Sequence, residues 1–204
     1  MTMRLQRMLA VLPLIALLPL AAPAADKEGR FAWKGISRMT CERYSAERQK
    51  GTDAIVILKT WLDGYITALN QFQPDTFDIA SSVDTFLLAQ LLENHCRDNP
   101  KDPLLPLIAS AMGRLNQHDR LRQVSQPVET KSGDQTVVVY QDVMRRSQEA
   151  LKARGHYKGG VDGQFGPKTR EAFQSFQKKE GLEATGLPDQ PTLFKLLEPF
   201  GPSQ

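Results

Sequence analysis

The chain is poor in the residues that metal and nucleophile chemistry require. Its 204 residues include three histidines and two cysteines. His95, His118 and His156 are scattered, with no H-E-x-x-H or comparable ligand spacing, so neighbours in sequence supply no zinc set. A G-x-S-x-G elbow is missing, as is an S-x-x-K element with its supporting motifs. Neither Cys41 nor Cys96 stands in the Ser-His-Gly-Cys setting of a thiol transpeptidase. Asp53, Asp63, Asp78, Asp84 and Glu93 fall at helix ends or on polar faces, where capping and solvation account for them without acid–base chemistry. These gaps argue against an enzyme and predict no catalytic residues, no cofactor and no metal.

Long apolar runs are also lacking beyond the first 24 residues, where no stretch approaches the roughly 20 residues that cross a bilayer. Charge of one sign is scarce too. There are 26 Lys+Arg and 23 Asp+Glu, and Arg4 and Arg7 are two of the cations, so residues 25–204 carry a net charge of +1. A near-neutral, mixed surface offers no electrostatic case for nucleic acid or an anionic membrane as partner.

What is present begins with export. Met1 to Ala24 has Arg4 and Arg7, an uncharged run from Met8 to Ala22 broken by Pro13 and Pro19, and the small-residue end Ala22-Pro23-Ala24. That is the layout of a secretory signal peptide, and it predicts a periplasmic protein with no membrane insertion after cleavage. Two cysteines in an oxidising compartment read as a disulfide, Cys41 to Cys96, with two buried thiols as the alternative.

The mature length fits one or two domains, and composition favours two. From Asn116 to Gln135 the chain is dominated by residues such as Gln117, Asp119, Arg120, Arg122, Gln126, Lys131 and Asp134. So little apolar surface predicts a flexible polar linker over 116–135. The region 25–115 reads as helical. Thr40 can cap a first helix carrying Cys41, Glu42 and Tyr44. Thr52 or Asp53 starts a second, in which Ala54, Leu58, Trp61, Leu62, Tyr65 and Leu69 recur at helical spacing. Gly64 within that stripe suggests a close helix contact. A third helix holds Val83, Phe86, Leu87, Leu91 and Leu92, reaches Cys96 and stops by Asn99, since Pro100 follows. Pro103 can open a fourth, with Leu104, Leu107, Ile108, Ala111 and Met112 inward. The bridge would staple the first helix to the end of the third.

Met39-Thr40-Cys41-Glu42, Trp61-Leu62-Asp63-Gly64-Tyr65 with Asn70, and Cys96 followed by Asn99-Pro100 together resemble the disulfide-bonded helical periplasmic proteins of the HdeA/HdeB type. The resemblance implies a stapled four-helix domain, and through family members that are acid-stress chaperones it implies client binding. A generic helical domain that binds a periplasmic protein partner is the other reading.

The stretch from Tyr140 to Leu197 is more specific. It reads Gln148 and Leu151, then Gly155-His156-Tyr157, then Asp162-Gly163-Gln164-Phe165-Gly166-Pro167-Lys168-Thr169, then Ala172-Phe173, Phe176-Gln177, Gly181-Leu182, Thr185-Gly186 and Thr192-Leu193. This resembles the three-helix peptidoglycan-binding module appended to bacterial wall enzymes, and implies peptidoglycan as the partner of residues 136–204.

The residues also read without the family. Met144, Gln148 and Leu151 share a helix face that ends at Gly155, a left-handed cap. Gly166-Pro167 opens a second helix with Ala172, Phe173 and Phe176 inward, and Gly181 ends it. Gln190 to Leu197 forms the third, closed by Leu193, Leu196 and Leu197. Asp162, Gly163, Phe165, Gly166 and Thr169 are most simply turn and core residues. Candidates for the ligand are Tyr157, Gln164, Lys168 and Arg170, with His156 and Gln174 close behind: an aromatic face, amides, and cations that could pair a stem-peptide carboxylate. Ser147 and Arg154 stand where the family usually has leucine, which predicts looser packing of the first helix.

The sequence therefore predicts an all-α protein of two small helical domains, a disulfide-stapled four-helix N-domain and a three-helix C-domain, joined by a flexible linker. The function expected is non-catalytic wall binding, with a wall-tethered acid-stress chaperone or an unrecognised cell-wall hydrolase as alternatives.

Overall fold

The computed structural model describes residues 26, 28, 30–51 and 53–201. The expected signal peptide over residues 1–24 and the candidate cap Thr52 lie outside the described residues. The chain divides into two units, residues 1–33 and 34–204. In the first, Arg30 pairs with Asp26 at 2.9 Å and the Phe31 and Trp33 rings lie 6.5 Å apart.

The second unit opens with a short 3-10 turn over Gly35–Arg38, followed by four helices: α1 (Cys41–Gln49), α2 (Ala54–Phe72), α3 (Thr85–Asp98) and α4 (Leu104–His118). A hairpin of β1 (Pro127–Ser132) and β2 (Gln135–Tyr140) precedes three more helices, α5 (Gln141–Ala153), α6 (Pro167–Lys179) and α7 (Gln190–Leu197). The all-α class with two helical parts holds, with one small sheet added. Among the described residues no helix is long and apolar enough to cross a membrane.

Local chemistry sets the boundaries. The Thr40 hydroxyl accepts from Arg43 N at 3.4 Å, and Asp84 caps α3 by accepting from Leu87 N at 2.7 Å. Asp189 does the same for α7 at Thr192 N, 3.0 Å away. These side chains occupy backbone donors that a helix start leaves unpaired. Cys41 and Cys96 form the disulfide, joining the start of α1 to the end of α3.

The bundle core contains Tyr44, Leu58, Leu62, Ile79, Leu88, Leu92, Leu104, Ile108 and Leu115. Two expectations need correction. Gly64 is exposed, and a Cβ there would meet nothing within 4 Å, so no close helix contact explains it. On α3 the buried line is Leu88, Ala89, Leu92 and Cys96, whereas Phe86 is 49% exposed. The run of apolar residues let two faces compete, and the position of Cys96 selects the one carrying Leu92, four residues before it.

The expected linker carries regular structure. Residues 116–135 contain the end of α4 and all of β1. Asp119 is fully buried, Leu121 N donates to Asp78 O at 2.7 Å, and Thr130, also fully buried, donates its hydroxyl to Val137 O at 2.8 Å. Asp119, Leu121 and Thr130 bond to the bundle and to β2, while side chains such as Gln117, Arg122, Gln123 and Glu129 stay exposed. The hairpin runs antiparallel from Pro127↔Tyr140 to Ser132↔Gln135 around Gly133-Asp134. It turns Val128, Thr130 and Val139 towards the C-terminal core, so a strand with few apolar residues still buries one face.

The two helical parts also meet through side chains. Arg146 of α5 reaches the buried Asp119 carboxylate at 3.1 Å, Gln190 Oε1 accepts from Asp84 N at 2.9 Å, and Arg114 Nε donates to Phe200 O at 2.7 Å. Ser82 gives Asp119 two more bonds, from its amide at 2.8 Å and its hydroxyl at 2.6 Å. Burial outweighs these partners and holds the Asp119 carboxyl above its ordinary value.

Candidate functional site

The C-terminal module is built from two helix–loop–helix steps, each organised by one buried glutamine. Gln148, fully buried on α5, donates from Nε2 to Asp162 Oδ1 and Gln164 O, both at 2.9 Å, and its Oε1 accepts from Asp162 N at 3.0 Å and Gly163 N at 2.8 Å. Gln177, fully buried on α6, donates to Leu187 O at 3.0 Å and to the Thr185 and Thr192 hydroxyls at 2.9 Å, while accepting from Gly186 N at 2.8 Å. A buried carboxamide has to satisfy both a carbonyl and an NH2 group, and loops that wrap it provide both.

Each loop needs its glycine. Gly163 has φ +72° and Gly186 φ +73°, and an added Cβ would come within 2.7 Å of Gln141 Cγ or Arg170 Cγ respectively. Six positions beyond each glycine stands a buried threonine, Thr169 or Thr192.

Most of the expected turn and core roles are visible. Asp162 Oδ1 accepts from Gln164 N at 2.9 Å, an Asx turn, and this amide together with Gln148 holds its carboxyl below the ordinary value. The Thr169 hydroxyl donates to Gln164 O at 3.3 Å, Gly166 is the N-cap of α6, and Phe165 is partly buried against the core. Phe173 and Phe176 are fully buried. Ser147, expected to loosen the first helix, is buried with its hydroxyl bonded back to Val143 O at 2.8 Å. Arg154 lies over the Phe176 ring, 5.5 Å from its centroid.

The six ligand candidates do not form one cluster. Tyr157 is 6% exposed, and its hydroxyl donates to Gly160 O at 2.8 Å, so the ring face expected to stack on a ligand belongs to the core. Its side chain sits where only glycine fits at 159. His156 meets the Ser175 hydroxyl at 2.8 Å and stands edge-on to Phe176; burial, with Lys179 adding to it, holds its pKa below the ordinary value. Arg170 donates to Lys131 O of β1 at 2.5 Å and stacks 5.6 Å from the Phe165 centroid, pinning the hairpin to α6. Gln174 lies beside Arg170 over the Gly186 turn. Gln164 and Lys168 are exposed.

Sequence reasoning missed the hairpin and what it creates. β1 and the Gln164-Phe165 loop face each other across a cleft of about 430 Å³ lined by Gln126, Pro127, Val128, Glu129, Gln141, Gln164 and Phe165. Only the repeat of glycine and threonine at matching positions in the two loops hinted at the paired construction, and nothing local marked Gln126 or Gln141.

The module is thus three short helices whose loops close on buried glutamines, with a cleft beside β1. Residues 141–196 match the model of the family described as "Putative peptidoglycan binding domain". The chain is also 38% identical over 78 residues to a "Putative OxPP cycle protein OpcA" of Nostoc punctiforme, covering 38% of this chain and 16% of that protein. A protein of the same description from a Synechocystis strain is 34% identical over 88 residues, 43% of this chain and 18% of the other. One from Synechococcus elongatus is 44% identical over 62 residues, 30% of this chain and 13% of the other. The chain thus spans less than a fifth of the length of these curated relatives. No solved structure gives a significant match. The family match begins at Gln141, so the hairpin lies outside it.

Proposed function

We propose that this is an exported, non-catalytic protein that binds peptidoglycan in the periplasm through its C-terminal module and presents the stapled bundle to a protein partner. The family match over 141–196 carries the reading. The side chains of Gln164, Lys168, Gln174 and His156 are the proposed ligand contacts, and Arg170 and Tyr157 support them, Arg170 through its bond to Lys131 O and Tyr157 from the core. The test is co-sedimentation of residues 25–204 with insoluble murein. The protein pellets with the murein and releases no soluble fragments; if it stays in the supernatant, the reading fails.

A second reading, a wall-tethered acid-stress chaperone, draws on the stapled bundle and on its exposed Val56, Ile57 and Phe86. It requires suppression of client aggregation to appear on acidification.

A further inference from the structure

Five glutamines in and just before the module differ in their surroundings. Gln148 and Gln177 are buried with their carboxamides fully bonded. Gln126, Gln141 and Gln164 converge on the cleft between the hairpin and the Asp162–Thr169 loop, and among the described residues none of their carboxamides has a hydrogen-bond partner. Three amides with no protein partner and one phenyl ring border a concave space of about 430 Å³, within the roughly 300–1,000 Å³ usual for a small-ligand site.

The charges of the cleft narrow the ligand. Glu129 is the one ionised residue among those lining it, and Lys131 pairs it at 2.7 Å. The nearby cation, Arg170, is turned to Lys131 O and the Phe165 ring. A ligand carrying free carboxylates would meet Glu129 and find no cation among the residues that line the cleft. A neutral ligand rich in hydroxyl and acetamido groups finds matching donors and acceptors, because each glutamine side chain offers both.

We propose that this cleft binds the N-acetylated amino-sugar backbone of the glycan strand, not the carboxylate-bearing stem peptide. Gln126, Gln141 and Gln164 read the acetamido and hydroxyl groups, and Phe165 supplies an apolar surface beside them. The hairpin, which precedes the family match, provides one wall and is the specificity element of this chain. Arg170 acts as a positioning residue by holding β1 to α6. The proposal rests on the peptidoglycan reading above and assigns the part of the polymer that is bound.

The test uses residues 25–204 with three probes: intact murein, a chito-oligosaccharide followed by NMR titration, and a free stem peptide. The protein binds the first two and not the third. Gln126→Ala and Gln164→Ala each weaken binding about fivefold, the scale of one lost hydrogen bond, and together roughly 20-fold. Gln126 is exposed, and its backbone carbonyl, which accepts from Gln141 N at 2.7 Å, is untouched by the change. Gln123→Ala, on the exposed segment before the hairpin, leaves binding unchanged. Binding to intact murein and to the stem peptide with no response to the chito-oligosaccharide overturns the proposal while leaving peptidoglycan binding in place. So does retention of full affinity in both glutamine variants. Failure on intact murein overturns both readings.

Discussion

Replacing Gln148 by methionine isolates the buried hub, because methionine keeps the length and shape of the side chain and removes its amide. Four bonds of 2.8–3.0 Å disappear: two donated to Asp162 Oδ1 and Gln164 O, and two accepted from Asp162 N and Gly163 N. A net value near 1 kcal/mol per bond gives about 4 kcal/mol. The Gly163 amide is the most costly of the four to strand, since that residue is buried and water cannot replace the lost acceptor. Against a typical total of roughly 5–15 kcal/mol, this is a large fraction. For a protein of this length each kcal/mol moves the midpoint by roughly 2–4 °C, so thermal unfolding followed by circular dichroism drops by about 8–16 °C. Gln177→Met behaves alike, through Gly186 N and Leu187 O. Amide exchange at Gly163 and Gln164 accelerates at the same time, because the loop loses its anchor. A Gln148→Met protein within about 0.5 kcal/mol of wild type would refute the reasoning, since the carboxamide would then be a space-filler and not the organiser of the loop.

Arg146→Ala leaves the fully buried Asp119 carboxylate without its cation and lowers stability by about 3–5 kcal/mol in urea unfolding, whereas Arg146→Lys recovers part of the loss. Burial raises the Asp119 pKa above 3.8, so as pH falls the folded state takes up this proton before the unfolded chain does. Wild type therefore gains stability relative to Asp119→Asn as pH drops from the raised value towards about 3.9, and unfolding midpoints of the two proteins from neutral to acidic pH follow the difference. Replacing both Cys41 and Cys96 by serine opens a loop of 55 residues and lowers stability by up to about 4 kcal/mol; the unfolding midpoint of the variant matches that of the reduced wild type.

The legibility of the sequence followed the range of the interactions involved. Thr40, Gly155, Pro167, Gly181 and Asp162 act on backbone within a few residues, and each does in the structure what its chemistry implies. The core positions Leu58, Leu62, Phe173 and Phe176 were readable for a similar reason, since helical periodicity places a stripe before any partner is known. Where two stripes overlapped, as with Phe86 and Leu88 on α3, periodicity could not choose between them. Tyr157 failed differently: an aromatic in a glycine-rich loop has equal licence to face a ligand or the core, and Gly159 lets it fold under the loop.

The sequence alone determined the helices, their caps, the pairing of Cys41 with Cys96 and the presence of a three-helix module, because all of these follow from local backbone preferences, side-chain period and cysteine count. Tertiary structure alone decided that residues 116–135 carry the end of α4, the buried Asp119 and the first strand of a hairpin, because a polar residue is satisfied equally by water or by a partner distant in sequence. Asp119 has Ser82 and Arg146, and Thr130 has Val137. The same rule governs the cleft. Gln126, Gln141 and Gln164 look in sequence like any solvated amides, and their convergence on one space exists only once β1 has been laid against α5 and α6.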